Sequence, residues 1–128
     1  MVMPSNNSSS RVHYLAGRFP GRLGWLVGPR GMIKTKLREW MPYALDNDAY
    51  SAWTNQTAWD ELAWWEMLWR ASEFTIPPRW FLIPDTVADR EDTLRKWRIF
   101  SPQARALFPH WPRAFAVQDG MTIQDVPA

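Results

Sequence analysis

Three short apolar runs, each stopped by a polar residue, constrain this chain more than anything else in its sequence. They are residues 43–45 (YAL) before Asp46, residues 79–83 (RWFLI) before Pro84-Asp85, and residues 113–117 (RAFAV) before Gln118. The stretches between them are helical in pattern, so the order is strand, helix, strand, helix, strand, which predicts parallel pairing through right-handed crossovers. The fold class is therefore α/β. The polar ends lie 39 and 33 residues apart, close to the roughly 31 residues that a (β/α)₈ barrel of about 250 residues allots to each unit. A chain of 128 residues is then expected to be a partial (β/α)₈ TIM-like barrel, with parallel strands alternating with helices. Its one truncated domain spans 12–128 behind a disordered polar lead at 1–11.

Local signals fill in the elements. Residues 12–16 (VHYLA) have strand composition and Gly17 closes them, while the glycine-rich stretch 17–31 predicts loop with a brief strand at 25–27. Asp46-Asn47-Asp48 favours a turn. Thr57-Ala58-Trp59-Asp60 reads as a capping box for a helix to about Ala71, with Ala58, Leu62, Trp65, Leu68 and Trp69 on one stripe. Pro77-Pro78 forbids its continuation. Thr86 or Asp89 caps the next helix, where Glu91 precedes Arg95 and Asp92 precedes Lys96 in the favourable charge order. Ser101-Pro102 then begins a separate short helical turn.

Composition removes several function classes. With no Cys there is no disulfide scaffold, zinc knuckle, iron–sulfur cluster or thiol nucleophile, and His13 and His110 alone do not make a metal site. No metal or cofactor is expected. No apolar run approaches the ~18 residues of a membrane span, and the lead lacks the features of a signal peptide. The expected location is cytoplasmic. Charge is uneven: residues 1–40 carry seven basic side chains against Glu39 alone, and the rest carries eight basic against twelve acidic. A basic arm including Arg18, Arg22, Arg30, Lys34 and Lys36 suits contact with a nucleic-acid backbone, or else keeps a solvated loop soluble. Trp59, Trp64, Trp65 and Trp69 sit at helical spacing and cannot all face one side of a helix. Some must be exposed or meet a partner, and single-stranded bases stacking on them is the functional alternative to core packing.

Parallel strands bring Asp46, Asp85 and Gln118 to one carboxyl edge, where α/β folds keep their chemistry. Two carboxylates, a carboxamide and an aromatic ring suit a planar, hydrogen-bonding heterocycle, because a carboxylate accepts two N–H donors and a carboxamide both gives and receives. The same aspartates would equally serve as helix caps at ordinary turns.

The segments ALDNDAYSAW (44–53), FLIPD (81–85) and FAVQDGMT (115–122) resemble the tRNA-guanine transglycosylase superfamily. They are most similar to its short phage and bacterial relatives grouped with the DNA 7-deazaguanine transglycosylases. The resemblance implies a base-exchange activity in which an Asp nucleophile displaces guanine from its sugar and a 7-deazaguanine attacks the covalent intermediate. It also implies Asp46 as the acid/base group, Tyr50 as a stacking ring, and Asn47, Asp85, Gln118 and Gly120 around the base. Asn47 and Asp48 stand where the family has small residues, which narrows that part of the pocket. The family's nucleophile, its following Gly-Gly strand and its Cys-rich zinc site have no counterpart in these residues. Activity is thus expected to need a second copy, a partner polypeptide or a continuation of the chain. The expected partners are DNA or tRNA, a guanine or 7-deazaguanine base, and a homo-oligomeric copy or partner protein that completes the fold. The alternative is a non-catalytic half-barrel of phage or mobile-element origin that binds nucleic acid or protein.

Overall fold

A computed structural model describes residues 1–5, 9–32 and 40–127; Lys34 and Lys36 of the basic arm lie outside the described residues. Every strand pair in it is parallel and the chain is α/β. The chain divides into two units, Met1–Asp46 with Asp60–Trp80, and Asn47–Trp59 with Phe81–Ala128.

In the first unit, helix α1 (Ser9–Arg18) precedes strand β1 (Trp25–Val27), helix α2 (Pro29–Met32), strand β2 (Tyr43–Leu45) and helix α4 (Glu61–Ser72); helix α3 (Ala49–Thr54) belongs to the second unit. β1 pairs with β2 in the register Trp25 to Tyr43 and Val27 to Leu45. All of β2 is buried, as its uninterrupted apolar sequence requires. The expected strand at 12–16 is instead part of α1. Val12 and Ala16 are both buried there, and that i, i+4 pair outweighs the strand-like composition around it. Nor is the whole lead loose: the Val2 N–H donates to Arg22 O and its carbonyl accepts from Gly24 N, each at 2.9 Å. Gly24 is required where it stands, since a Cβ would lie 2.8 Å from the Pro42 carbonyl.

α4 begins later than the capping-box reading places it. Asp60, not Thr57, is its N-cap and accepts from Ala63 N at 3.0 Å. The buried face is Trp64, Met67, Leu68 and Ala71, so the expected stripe is rotated: Leu62 is 68% and Trp69 50% exposed. α2 packs on α4. Beyond α4, the Tyr43 hydroxyl donates to Ile76 O at 2.7 Å, and burial pushes that phenol far above its ordinary range.

In the second unit, α3 is followed by strand β3 (Phe81–Leu82), helix α5 (Arg90–Leu107), strand β4 (Arg113–Ala114) and a 3₁₀ turn (Ile123–Asp125). β3 and β4 pair Phe81 with Arg113 and Leu82 with Ala114. Both strands are shorter than their apolar runs. Asp89 caps α5 by accepting from Asp92 N at 2.9 Å. The separate turn expected at Ser101-Pro102 does not occur, because α5 runs through Pro102 unbroken. Pro102 has no N–H for the Arg98 carbonyl, and Arg98 is exposed. Phe100 and Ala104, buried on either side of Pro102, hold the helix in one piece.

Candidate functional site

Asn47 stands two residues beyond β2 and is 1% exposed. Its Oδ1 accepts from Ala49 N at 2.9 Å, capping the first turn of α3 in place of Asp48, which is in the left-handed conformation at φ 59° and makes no side-chain cap. With the oxygen committed, the amide group points the other way. Asn47 Nδ2 donates to Ile83 O at 3.0 Å and to Asp85 Oδ1 at 2.7 Å.

Asp85 ends the β3 run and is 6% exposed. A carboxylate so placed needs donors in the protein, and its second oxygen accepts from Gln118 Nε2 at 2.8 Å. Gln118 is oriented in the same manner as Asn47, its Oε1 accepting from Ala88 N at 3.0 Å. Ala88 itself sits at φ 60°, a left-handed position uncommon for a residue with a Cβ. Two carboxamides from different loops thus converge on one carboxylate, each locked by a backbone N–H.

The β3–α5 connection is braced beside them. The Thr93 hydroxyl accepts from Thr86 N and donates to Thr86 O, both at 3.0 Å, so one buried side chain satisfies both main-chain groups of Thr86. The Thr86 hydroxyl donates to Asp92, and this bond above all, with help from Arg95, holds the Asp92 carboxyl below the usual range. Lys96, one turn on, donates to Asp85 O at 2.9 Å and lies 5.0 Å from the centre of the Trp59 ring. Burial pushes the Lys96 ammonium down from its ordinary value, against the opposing pull of Asp92 and Asp85.

These groups border a cleft of about 280 Å³ whose lining includes Asp85, Thr86, Asp92, Lys96, Trp53 and Trp59. It combines a carboxylate, an amine and indole walls. An uncharged planar molecule with adjacent N–H donors matches that chemistry: the rings stack, and the carboxylate retains acceptor capacity beyond its two amide partners.

Of the residues expected at a base site, the structure brings Asn47, Asp85 and Gln118 together. Tyr50 lies on α3, 66% exposed, its ring tilted against Trp53 at 5.8 Å. Gly120 follows Gln118 in an exposed turn at φ 80°, closed by the Met121 N–H on Gln118 O at 3.1 Å. Asp46 ends β2 in the first unit, half-buried, its N–H donating to Val27 O at 2.9 Å. Arg18, Arg22 and Arg30 are exposed on that unit. Sequence reasoning misses Lys96 and Thr93, and has Trp59 only as one of a cluster of tryptophans on which bases could stack. The signal for the first two was the spacing 93, 96, 100, 104, which puts Lys96 on the buried stripe of α5 rather than on its solvated face.

Among the described residues no three His, Asp or Glu side chains converge as metal ligands, and no helix is long and apolar enough to cross a membrane. Comparison with protein-family models, curated proteins and solved structures finds no significant match.

Proposed function

We propose that this chain binds guanine or a 7-deazaguanine as the base-recognition part of a transglycosylase-like (β/α)₈ barrel acting on nucleic acid. One observation carries the reading: the Asp85 carboxylate is presented at an indole-lined cleft by two carboxamides, Asn47 and Gln118, whose own orientations are set. The amidine edge of guanine offers two parallel N–H donors to such a carboxylate, and the second N–H of the Gln118 carboxamide suits the neighbouring carbonyl. The resemblance to transglycosylases assigns Asp46 as the acid/base group and Tyr50 as a stacking ring. The nucleophile of base exchange is assigned to no residue here; a second copy, a partner protein or a continuation of the chain supplies it in this reading.

Calorimetric titration with guanine and with 7-cyano-7-deazaguanine tests this. The wild-type protein should bind at least one of them, and Asp85→Ala should abolish binding while the far-ultraviolet spectrum is retained. Absence of heat with both bases at millimolar concentration would sink the reading.

A second reading, a binding module without catalysis, is favoured by the exposed Tyr50–Trp53 pair, since both rings are more than half accessible. A nucleic acid retained by the Asp46→Ala/Asp85→Ala double variant, with no base bound by wild type, would decide for it.

A further inference from the structure

Lys96 belongs to a set of contacts that closes on itself. Its Nζ donates to the Asp85 carbonyl at 2.9 Å and sits 5.0 Å from the centre of the Trp59 ring. Trp59 donates its Nε1–H to Asn47 O at 2.8 Å, and Asn47 Nδ2 donates to Asp85 Oδ1 at 2.7 Å. The path returns to the residue it left. Asp85 is thereby gripped at both ends, its carboxylate by carboxamides and its main chain by a cation.

We infer that Lys96, seated on the Trp59 ring, is a positioning residue that holds the Asp85 carboxylate and the Asn47 carboxamide in register for a base in the cleft. For the identity of the ligand this rests on the reading above; the contacts themselves do not.

Burial makes an amine costly at this position. The Lys96 side chain is 13% exposed, so its charge is largely out of water, a cost that a methionine of similar length would avoid. The neighbouring basic residues of α5, Arg95 and Arg98, are exposed instead. What the ammonium does here is donate to one particular carbonyl while the indole face and Asp92, at 3.9 Å, offset its burial. Trp59 serves both branches: its face carries the cation, and its N–H fixes the backbone of Asn47. Phe100 meets the Trp59 ring edge-to-face at 5.9 Å and keeps it from turning.

The test compares wild type with Lys96→Met, Lys96→Arg and Trp59→Phe by two readouts: the side-chain amide signals of Asn47 and Gln118 in ¹H–¹⁵N spectra, and calorimetric affinity for guanine. Lys96→Met should displace the Asn47 amide signals and weaken guanine about tenfold, the effect of losing one charge-assisted hydrogen bond. Lys96→Arg should restore both, because a guanidinium also donates to a carbonyl and stacks on an indole. Trp59→Phe, which keeps a ring and removes the N–H, should displace the Asn47 signals by itself. Unchanged amide signals in Lys96→Met overturn the inference, and so does an arginine variant whose signals stay as displaced as those of methionine. If wild type binds no guanine, the base reading falls and the amide signals still decide the clamp. Should Lys96→Met fail to fold, Trp59→Phe decides alone: displaced Asn47 signals support the clamp and unmoved ones overturn it.

Discussion

Asp125, in the 3₁₀ turn near the end of the described chain, accepts from both Nε and Nη2 of Arg90 and from the Thr122 N–H. The Arg90 hydrogen bond first, and the Thr122 backbone bond next, hold its carboxyl at about 2 against an ordinary 3.8. Because the folded value lies below the unfolded one, the contact stabilises the native state fully above pH ~4 and is lost as pH falls towards 2. The urea midpoint should therefore drop between pH 4 and 2, and Asp125→Asn should flatten that limb while lowering the midpoint at neutral pH. A residual limb is expected from Asp92, shifted in the same direction by the Thr86 hydroxyl. An unaltered limb in Asp125→Asn would show that the arginine contact does not persist in solution. The meeting of Asp85 and Gln118 is legible from the sequence because parallel strands bring their polar ends to one edge. Lys96 is not, since Asp92 at i−4 accounts for it as an ordinary surface pair. The Asp85 carbonyl, eleven residues away, and the Trp59 ring make it part of the site.

α4 shows how an element can be legible while its orientation is not. Its tryptophans and leucines are so dense that two faces satisfy the same periodicity, one through Leu62, Trp65, Leu68 and Trp69 and the other through Trp64, Met67, Leu68 and Ala71, sharing Leu68. Which face is buried is decided by what packs against it, α2 among others, and the helix starts at the Asp60 cap, three residues after the Thr57 expected from sequence. The consequence is measurable. Trp64→Ala should cost about 3–5 kcal/mol of unfolding free energy, as for truncation of a fully buried aromatic ring. Leu62→Ala should stay within about 0.5 kcal/mol. Urea denaturation of both variants checks the assignment, and a reversed order would restore the sequence-derived stripe. α1 is misread for the opposite reason: Val12, His13 and Tyr14 favour strands by composition, and only the joint burial of Val12 and Ala16 shows the helix. β2 matches its predicted bounds to the residue because all three of its positions are buried. β3 and β4 do not, since the ends of a parallel strand depend on what pairs with them.

For the whole molecule, alternation of apolar runs with helical stretches is enough to predict parallel pairing, because a parallel neighbour must be reached through a crossover. Charge is less decisive, since it reports on partners and not on fold. Residues 1–40 carry seven basic side chains against Glu39 alone, whereas the remainder is acidic, and the two explanations of that imbalance differ in one observable. If the arm neutralises phosphates, each contact releases a counterion, and log K falls against log salt with a slope of about −0.9 per contact on duplex DNA and about −0.7 on a single strand. Arg18 ends α1 and Arg22 lies in the following loop, both exposed and so open to such contacts. Replacing the two with Ala should then reduce the magnitude of the slope by about 1.8 on duplex, or about 1.4 on single-stranded nucleic acid. Affinity should weaken across unrelated sequences alike, because phosphate contacts carry no base information. If the arginines only keep a loop solvated, the slope stays as in wild type while solubility declines. Fluorescence anisotropy of a labelled oligonucleotide over 50–200 mM salt, with wild type and the Arg18→Ala/Arg22→Ala variant side by side, separates the two. Comparing duplex and single-strand affinity at one salt concentration in the same titration shows which form of nucleic acid the arm prefers.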